Sequence, residues 1–267
     1  MLGDYQFYYS LKGQKEHATI LLLHGFMGSS QDWDDVTAGL CDQFCCLSVD
    51  LPGHGKTKIV GNEDNYTMEN TARALITLLE RLKIKKCSLV GYSMGGRLAL
   101  YCALYFPAYF TKLLIESASP GLKTKKEQHE RRTRDNDLAF QLETEDFPAF
   151  LKKWYNQSLF KTLIHHKDFD TLMQRRLNNN PQELAKSLKH MGTGAQPPLW
   201  KRWARNTRTT LLIVGENDHK FRRIAEDMAG TCKMAQIKVI RNSGHNTHFE
   251  KKDTFIEATQ CFLSCEA

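Results

Sequence analysis

Two runs of four consecutive aliphatic residues, Ile20 to Leu23 and Leu211 to Val214, limit what this chain can become. Side chains along a strand point alternately to opposite faces, so a strand apolar at every position must be covered on both sides. The two runs sit in the expected strands Ala18 to Leu23 and Thr209 to Val214; others are expected at Phe44 to Val49, Cys87 to Val90, Lys112 to Glu116 and Gln236 to Ile240. Helical spacing fills the intervals. Thr67 can cap a helix reaching about Lys83, with Leu75, Leu78, Leu79 and Leu82 on one face. Further helices are expected at Met94 to Leu104, about Phe221 to Ala229 and about Thr254 to Leu263. Strands that alternate with helices predict an α/β fold, with a mostly parallel central sheet flanked by helices. Residues 121–205 break the alternation with helical, strand-poor sequence. They are expected to form an inserted helical cap, leaving 1–120 and 206–267 as the core.

At 267 residues and 41% hydrophobic the chain can bury a full core. Its aliphatic runs fall far short of the roughly 20 residues that a membrane span needs. The first ten residues lack both a basic start and an apolar stretch, so no secretory leader is expected and the compartment is read as cytoplasmic. Eight cysteines invite a disulfide or zinc reading, but no C-x-x-C occurs. Free thiols packed as small apolar groups fit better.

The net charge of +7 is unevenly placed. Residues 121–205 hold 17 Lys/Arg against 10 Asp/Glu, while the remainder holds 20 of each. The excess therefore belongs to the expected cap. Nucleic acid is a poor fit, because acidic residues are interspersed and no basic run alternates with aromatics. On charge alone a solvated helical surface is the plainer reading, and a cap that attracts a small anion is the sharper one.

Chemistry concentrates at strand ends. Gly91-Tyr92-Ser93-Met94-Gly95, followed by Gly96, lies where a strand becomes a helix. Such a G-x-S-x-G turn lifts a serine hydroxyl clear of the sheet and aims the next N–H, that of Met94, at the reacting oxygen. A serine so placed needs a base and an orienting acid. Leu211 to Gly215 runs into Glu216-Asn217-Asp218, and Val239-Ile240 runs into Arg241-Asn242-Ser243-Gly244-His245. Asp218 would hold the His245 imidazole, which would take the proton of Ser93. Glu216 and Glu116 are rival acids, and His248 is a rival base. The loop His24-Gly25-Phe26-Met27-Gly28 should supply a second oxyanion donor, the N–H of Phe26. His24 is read as structural, and His54, in D-L-P-G-H-G, as loop architecture.

These strings, H-G-F-x-G, D-L-P-G-H-G, G-Y-S-M-G-G, G-E-N-D and S-G-H, run in the order of the α/β-hydrolase family, which the chain resembles over nearly its whole length. Further strings narrow the resemblance to the synthases that make 2-succinyl-6-hydroxy-2,4-cyclohexadiene-1-carboxylate in menaquinone biosynthesis. They include G-Y-S-M-G-G-R, E-R-R-T-R-D, F-L-K-K-W-Y, R-R-L-N-N-N and G-H-N-T-H. The resemblance implies a lyase that eliminates pyruvate from a small tricarboxylate and needs no cofactor or metal. It places Tyr92, Arg97, Arg132, Trp154 and Arg176 around the substrate, with Lys220 as a weaker candidate. Arginine forks match carboxylates bidentately, which gives the cap's charge a purpose. Two other classes compete: a serine esterase, thioesterase or C–C hydrolase working through an acyl-enzyme, and a binding protein on the same scaffold. The partner expected is a small molecule, with no nucleic acid and no membrane insertion; oligomeric state is left open.

Overall fold

The computed structural model describes residues 4–265. The first half runs β1 (Tyr5–Gln6), β2 (Tyr9–Lys12), β3 (Thr19–Leu23), α1 (Asp34–Leu40), β4 (Cys45–Val49), β5 (Lys58–Ile59), α2 (Met68–Arg81), β6 (Cys87–Tyr92), α3 (Met94–Tyr105) and β7 (Phe110–Glu116). Five helices follow without a strand: α4 (Lys125–Thr144), α5 (Phe147–Tyr155), α6 (Phe169–Leu177), α7 (Pro181–Met191) and α8 (Trp200–Trp203). The chain closes with β8 (Thr209–Gly215), α9 (His219–Thr231), β9 (Ala235–Ile240), α10 (Thr247–Glu250) and α11 (Lys252–Ser264).

Seven strands form one sheet in the order β2-β4-β3-β6-β7-β8-β9, parallel except for the edge strand β2. The four aliphatic residues of β3 divide as a doubly covered strand requires. Leu21 and Leu23 join Leu75, Leu98 and Met228 on one face, while Ile20 and Leu22 join Trp33, Leu40 and Phe255 on the other. The Thr67 side chain caps α2 as its position suggested.

After β3 the chain adds β4 on one side and then crosses to place β6 on the other, so a crevice opens beyond the C-terminal ends of β3 and β6. In open α/β sheets that reversal of strand order is where ligands bind. The five-helix stretch has its own small core of Phe150, Leu151, Leu172 and Leu184, shared with Met27 of the loop after β3. Met191, Leu199 and Trp203, at its C-terminal end, pack instead into the main core.

The elements not foreseen include β2, the β1–β5 pair, α1 and the short helix α10. Of the eight cysteines, Cys45, Cys46, Cys87, Cys102 and Cys232 are buried. Cys261 and Cys265 are exposed on the last turn of α11 and beyond it, so the packed-thiol reading does not cover them. No helix among the described residues is long and apolar enough to cross a membrane.

Candidate active site

The turn after β6 holds Ser93 at φ 49°, ψ −105°, a region that non-glycine residues avoid. Its N–H donates to the Glu116 carbonyl (2.9 Å), and its own carbonyl accepts from Arg97 to start α3 (3.0 Å). The turn is possible because Gly91 and Gly95, two positions to either side of Ser93, carry no side chain. A Cβ on Gly95 would run into the carbonyls of Leu23 and His24, so that glycine lets the end of β3 lie directly against the first turn of α3.

Three sequence-distant side chains meet here. The Ser93 hydroxyl is 3.1 Å from His245 Nε2, and His245 Nδ1 donates to Asp218 Oδ2 at 2.6 Å. Asp218 caps α9 with its other oxygen, which accepts the Phe221 N–H at 3.2 Å. Both Asp218 and His245 are buried, and the imidazole lies among the rings of Phe221 (4.6 Å), Tyr92 (5.4 Å) and Phe160 (6.0 Å). Dry walls of this kind strengthen the electrostatics of whatever polar group they enclose.

The rivals are otherwise engaged. Glu216 accepts the Asn242 N–H, and Glu116 binds His248 Nδ1 at 2.6 Å. Glu250, overlooked in the sequence, accepts the N–H groups of Gly244 (2.9 Å) and Asn246 (3.3 Å) and so brackets His245. Its position five residues after the histidine, in the short helix α10, was the available signal.

In the loop after β3, His24 donates from Nδ1 to the Gly25 carbonyl (2.7 Å) and accepts the Leu51 N–H on Nε2 (2.9 Å). These two bonds require the neutral ring, and burial lowers its basicity further. His54 donates to the Pro52 carbonyl (3.0 Å) within its own turn. The N–H groups of Phe26 and Met94 donate to no protein acceptor among the described residues. That of Met94 belongs to the first turn of α3, where free N–H groups favour an anion.

The arginines divide. Arg97 is buried, yet its only acceptors among the described residues are the Met191 carbonyl (2.9 Å) and Gln196 Oε1 (3.4 Å). Burial first and the nearby Arg131 second push its basicity down to about 10, with Asp135 opposing. A buried guanidinium without a carboxylate partner is costly unless an anion arrives. Arg131 pairs with the buried Asp135 (2.7 Å). Lys220 stays on the open rim of α9 beside Phe221; desolvation and Arg131 hold its ammonium below the ordinary range, with Asp218 opposing.

Arg132 goes elsewhere. It is exposed and lines an open groove of ≈ 750 Å³ with Arg73, Tyr101, Tyr105, Lys189 and His190. The physical reason is helical phase: the buried face of α4 carries Asp135, Ala139 and Leu142, and the residue one turn before Asp135 is Arg131. That spacing is the signal the string E-R-R-T-R-D concealed. Arg176 is buried and already forked onto both oxygens of Asp32 (2.8 Å each), with its Nε donating to the Tyr155 hydroxyl (3.0 Å). Tyr92 is buried between the rings of His245 and His248, and Trp154 covers Phe26 at 5.4 Å. Among the described residues no cluster of three or more His, Cys, Asp or Glu side chains could hold a metal ion.

The model of the alpha/beta hydrolase fold family matches residues 18–252. The 2-succinyl-6-hydroxy-2,4-cyclohexadiene-1-carboxylate synthase of Escherichia coli O1:K1 is 33% identical over 231 residues, which is 86% of this chain and 88% of that protein. The structure of MenH from S. aureus superposes with a TM-score of 0.89 at 32% identity, covering 97% of each chain. A thermophilic esterase from Thermogutta terrifontis also superposes, at 0.84 and 24% identity, covering 96% of this chain and 92% of that one. At that identity the likeness speaks for the fold alone.

Proposed function

Because the chain belongs to the α/β-hydrolase family, and within it to the 2-succinyl-6-hydroxy-2,4-cyclohexadiene-1-carboxylate synthases, we propose the following reaction for it. It is the lyase of menaquinone biosynthesis that eliminates pyruvate from 2-succinyl-5-enolpyruvyl-6-hydroxy-3-cyclohexene-1-carboxylate. The proton on ring C2 is acidic because it lies alpha to the succinyl ketone. Ser93 Oγ removes it and passes its own proton to His245, whose charge Asp218 balances. The ketone oxygen becomes an enolate, and the N–H groups of Phe26 and Met94 receive it. Electrons then return through the ring: C2=C3 forms, the C3=C4 pair moves to C4=C5, and the C5–O bond breaks. The enolpyruvyl group leaves as the enolate of pyruvate and takes up a proton.

A serine hydroxyl is a feeble base by itself, and the alignment with His245 and Asp218 is what suits it to the task. The substrate carries three carboxylates, and the observation that carries this reading is Arg97. One turn along α3 from Ser93, the protein keeps a buried cation whose hydrogen-bond acceptors among the described residues are neutral. Arg131 and Lys220 extend the positive wall, with Tyr92 and Trp154 as its apolar lining. Arg131, rather than its neighbour Arg132, belongs to this wall. Arg176 retains two N–H groups beyond those engaged, and through them can still reach a carboxylate. Residues 121–205 are the cap that brings Arg131, Trp154 and Arg176 over the crevice.

The test couples pyruvate release to lactate dehydrogenase. Wild type should release pyruvate well above the spontaneous rate, and Ser93→Ala should fall by at least about 10³-fold, in line with losses of active-site nucleophiles elsewhere. A wild type no faster than the uncatalysed reaction would overturn the proposal. Brisk turnover of p-nitrophenyl acetate with an initial burst would favour the hydrolase instead.

A further inference from the structure

Glu116 ends β7 and is fully buried, in register with Tyr92 across the β6–β7 ladder. Its backbone carbonyl accepts the N–H of Ser93 at 2.9 Å. Its carboxylate takes three donors from the segment just past His245: the Thr247 hydroxyl (2.7 Å), the His248 N–H (3.0 Å) and His248 Nδ1 (2.6 Å). One residue therefore holds the nucleophile turn with its main chain and the histidine segment with its side chain. The His248 ring is fixed in turn, stacked on Trp33 at 4.3 Å and met edge-on by Tyr92 at 4.9 Å.

No strand joins these two segments. Ser93 follows β6, His245 follows β9, and two strands lie between them in the sheet. The 3.1 Å contact between Ser93 and His245 spans that gap, and a displacement of about 1 Å at such a contact is enough to cost two orders of magnitude in rate. A carboxylate is suited to the task because it accepts several hydrogen bonds at once without a proton of its own.

We propose that Glu116, with His248 and Thr247 as its grips, is a positioning residue that sets the register between the Ser93 turn and the His245 loop. This inference takes for granted the reading of Ser93 and His245 as nucleophile and base. It gives the second His–carboxylate pair a purpose outside the proton path: it holds the first pair in line.

The experiment uses the full chain as wild type, Glu116→Gln and Thr247→Val, with folding checked by circular dichroism. Low-field proton NMR reads the ring N–H of His245 and that of His248 as separate signals, and Asp218→Asn assigns the former. E116Q cannot hold all three donors. It should erase the His248 signal, displace or broaden that of His245, and lower kcat for pyruvate release roughly tenfold, with KM moving less than about twofold. T247V should act in the same direction to a smaller extent, and it carries the test should E116Q fail to fold. A merely structural Glu116 would lower the melting temperature and leave the His245 signal and kcat at wild-type values, and that result would overturn the proposal. A wild type that releases no pyruvate would instead sink the lyase reading, while the His245 signal would still decide whether the clamp exists.

Discussion

Arg97 and Arg131 repel each other, and Asp135 opposes that repulsion. An incoming carboxylate would relieve that repulsion, so each guanidinium should contribute to binding more than to the chemical step. Arg131→Ala is expected to raise KM roughly ten- to hundredfold, the worth of one charge-assisted hydrogen bond, with a smaller change in kcat. Arg132→Ala should stay within about twofold of wild type, as loss of an exposed side chain usually does. Steady-state pyruvate release for both variants checks this, and equal effects would place the wall wrongly. The contrast also shows what the residue pattern could convey. Ser93, Asp218 and His245 were legible because each follows the end of a strand that the sequence discloses, and strand ends on one edge of a parallel sheet converge. The cap arginines were read from a string of letters, without the helical phase that decides which of two adjacent arginines faces inward. Glu250 escaped notice, and Glu116 stood only as a rival acid, for another reason. Their importance lies in which backbone N–H groups they reach, and that is a property of the folded loop.

Gly95 controls how two elements meet. With a side chain there, the end of β3 and the start of α3 would have to part. Gly95→Ala should destabilise the fold by about 1–3 kcal/mol, the usual penalty for overpacking a filled space. It should also cost activity in the molecules that do fold, because the same contact brings the Phe26 loop beside Ser93. Thermal melts with activity normalised to folded protein separate the two effects, and a melt like that of wild type would refute the argument. The central strands β3 and β8 could be read in advance because coverage on both faces leaves a continuous apolar run. The edge strand β2 could not: Tyr9-Ser10-Leu11-Lys12 is short, partly exposed, and paired on one side only. β1 and β5, with two residues each, carry no periodicity at all.

Across the whole molecule, the five-helix stretch is joined to the segment between β3 and α1 by a buried ion pair, Arg176 on α6 with Asp32. Burial by itself pushes the Asp32 carboxyl up; the Arg176 charge and its hydrogen bonds more than offset this and hold it below the usual carboxylate range. With the folded value below the unfolded one, the stabilisation is complete above the ordinary aspartate range near pH 4 and is lost as pH falls through the folded value. Asp32→Asn, which leaves a buried guanidinium uncompensated, should cost about 3–5 kcal/mol at pH 7. The deficit against wild type should shrink below about pH 4, as the wild-type carboxyl itself takes up a proton. Urea unfolding at pH 7 and pH 3 measures it, and a deficit independent of pH would show that the pair is not the joint described. The uneven charge of the chain announced that its helical stretch was special. It did not announce that one of those arginines is committed internally.

Met27 packs among Phe150, Leu151 and Leu184, although it belongs to the loop after β3. The five-helix stretch and the sheet are therefore not interchangeable modules. Anyone grafting a relative's helices onto this sheet to alter its substrate would have to carry residues 24–28 along with them, or accept a chimera whose new lid sits on an ill-fitting floor.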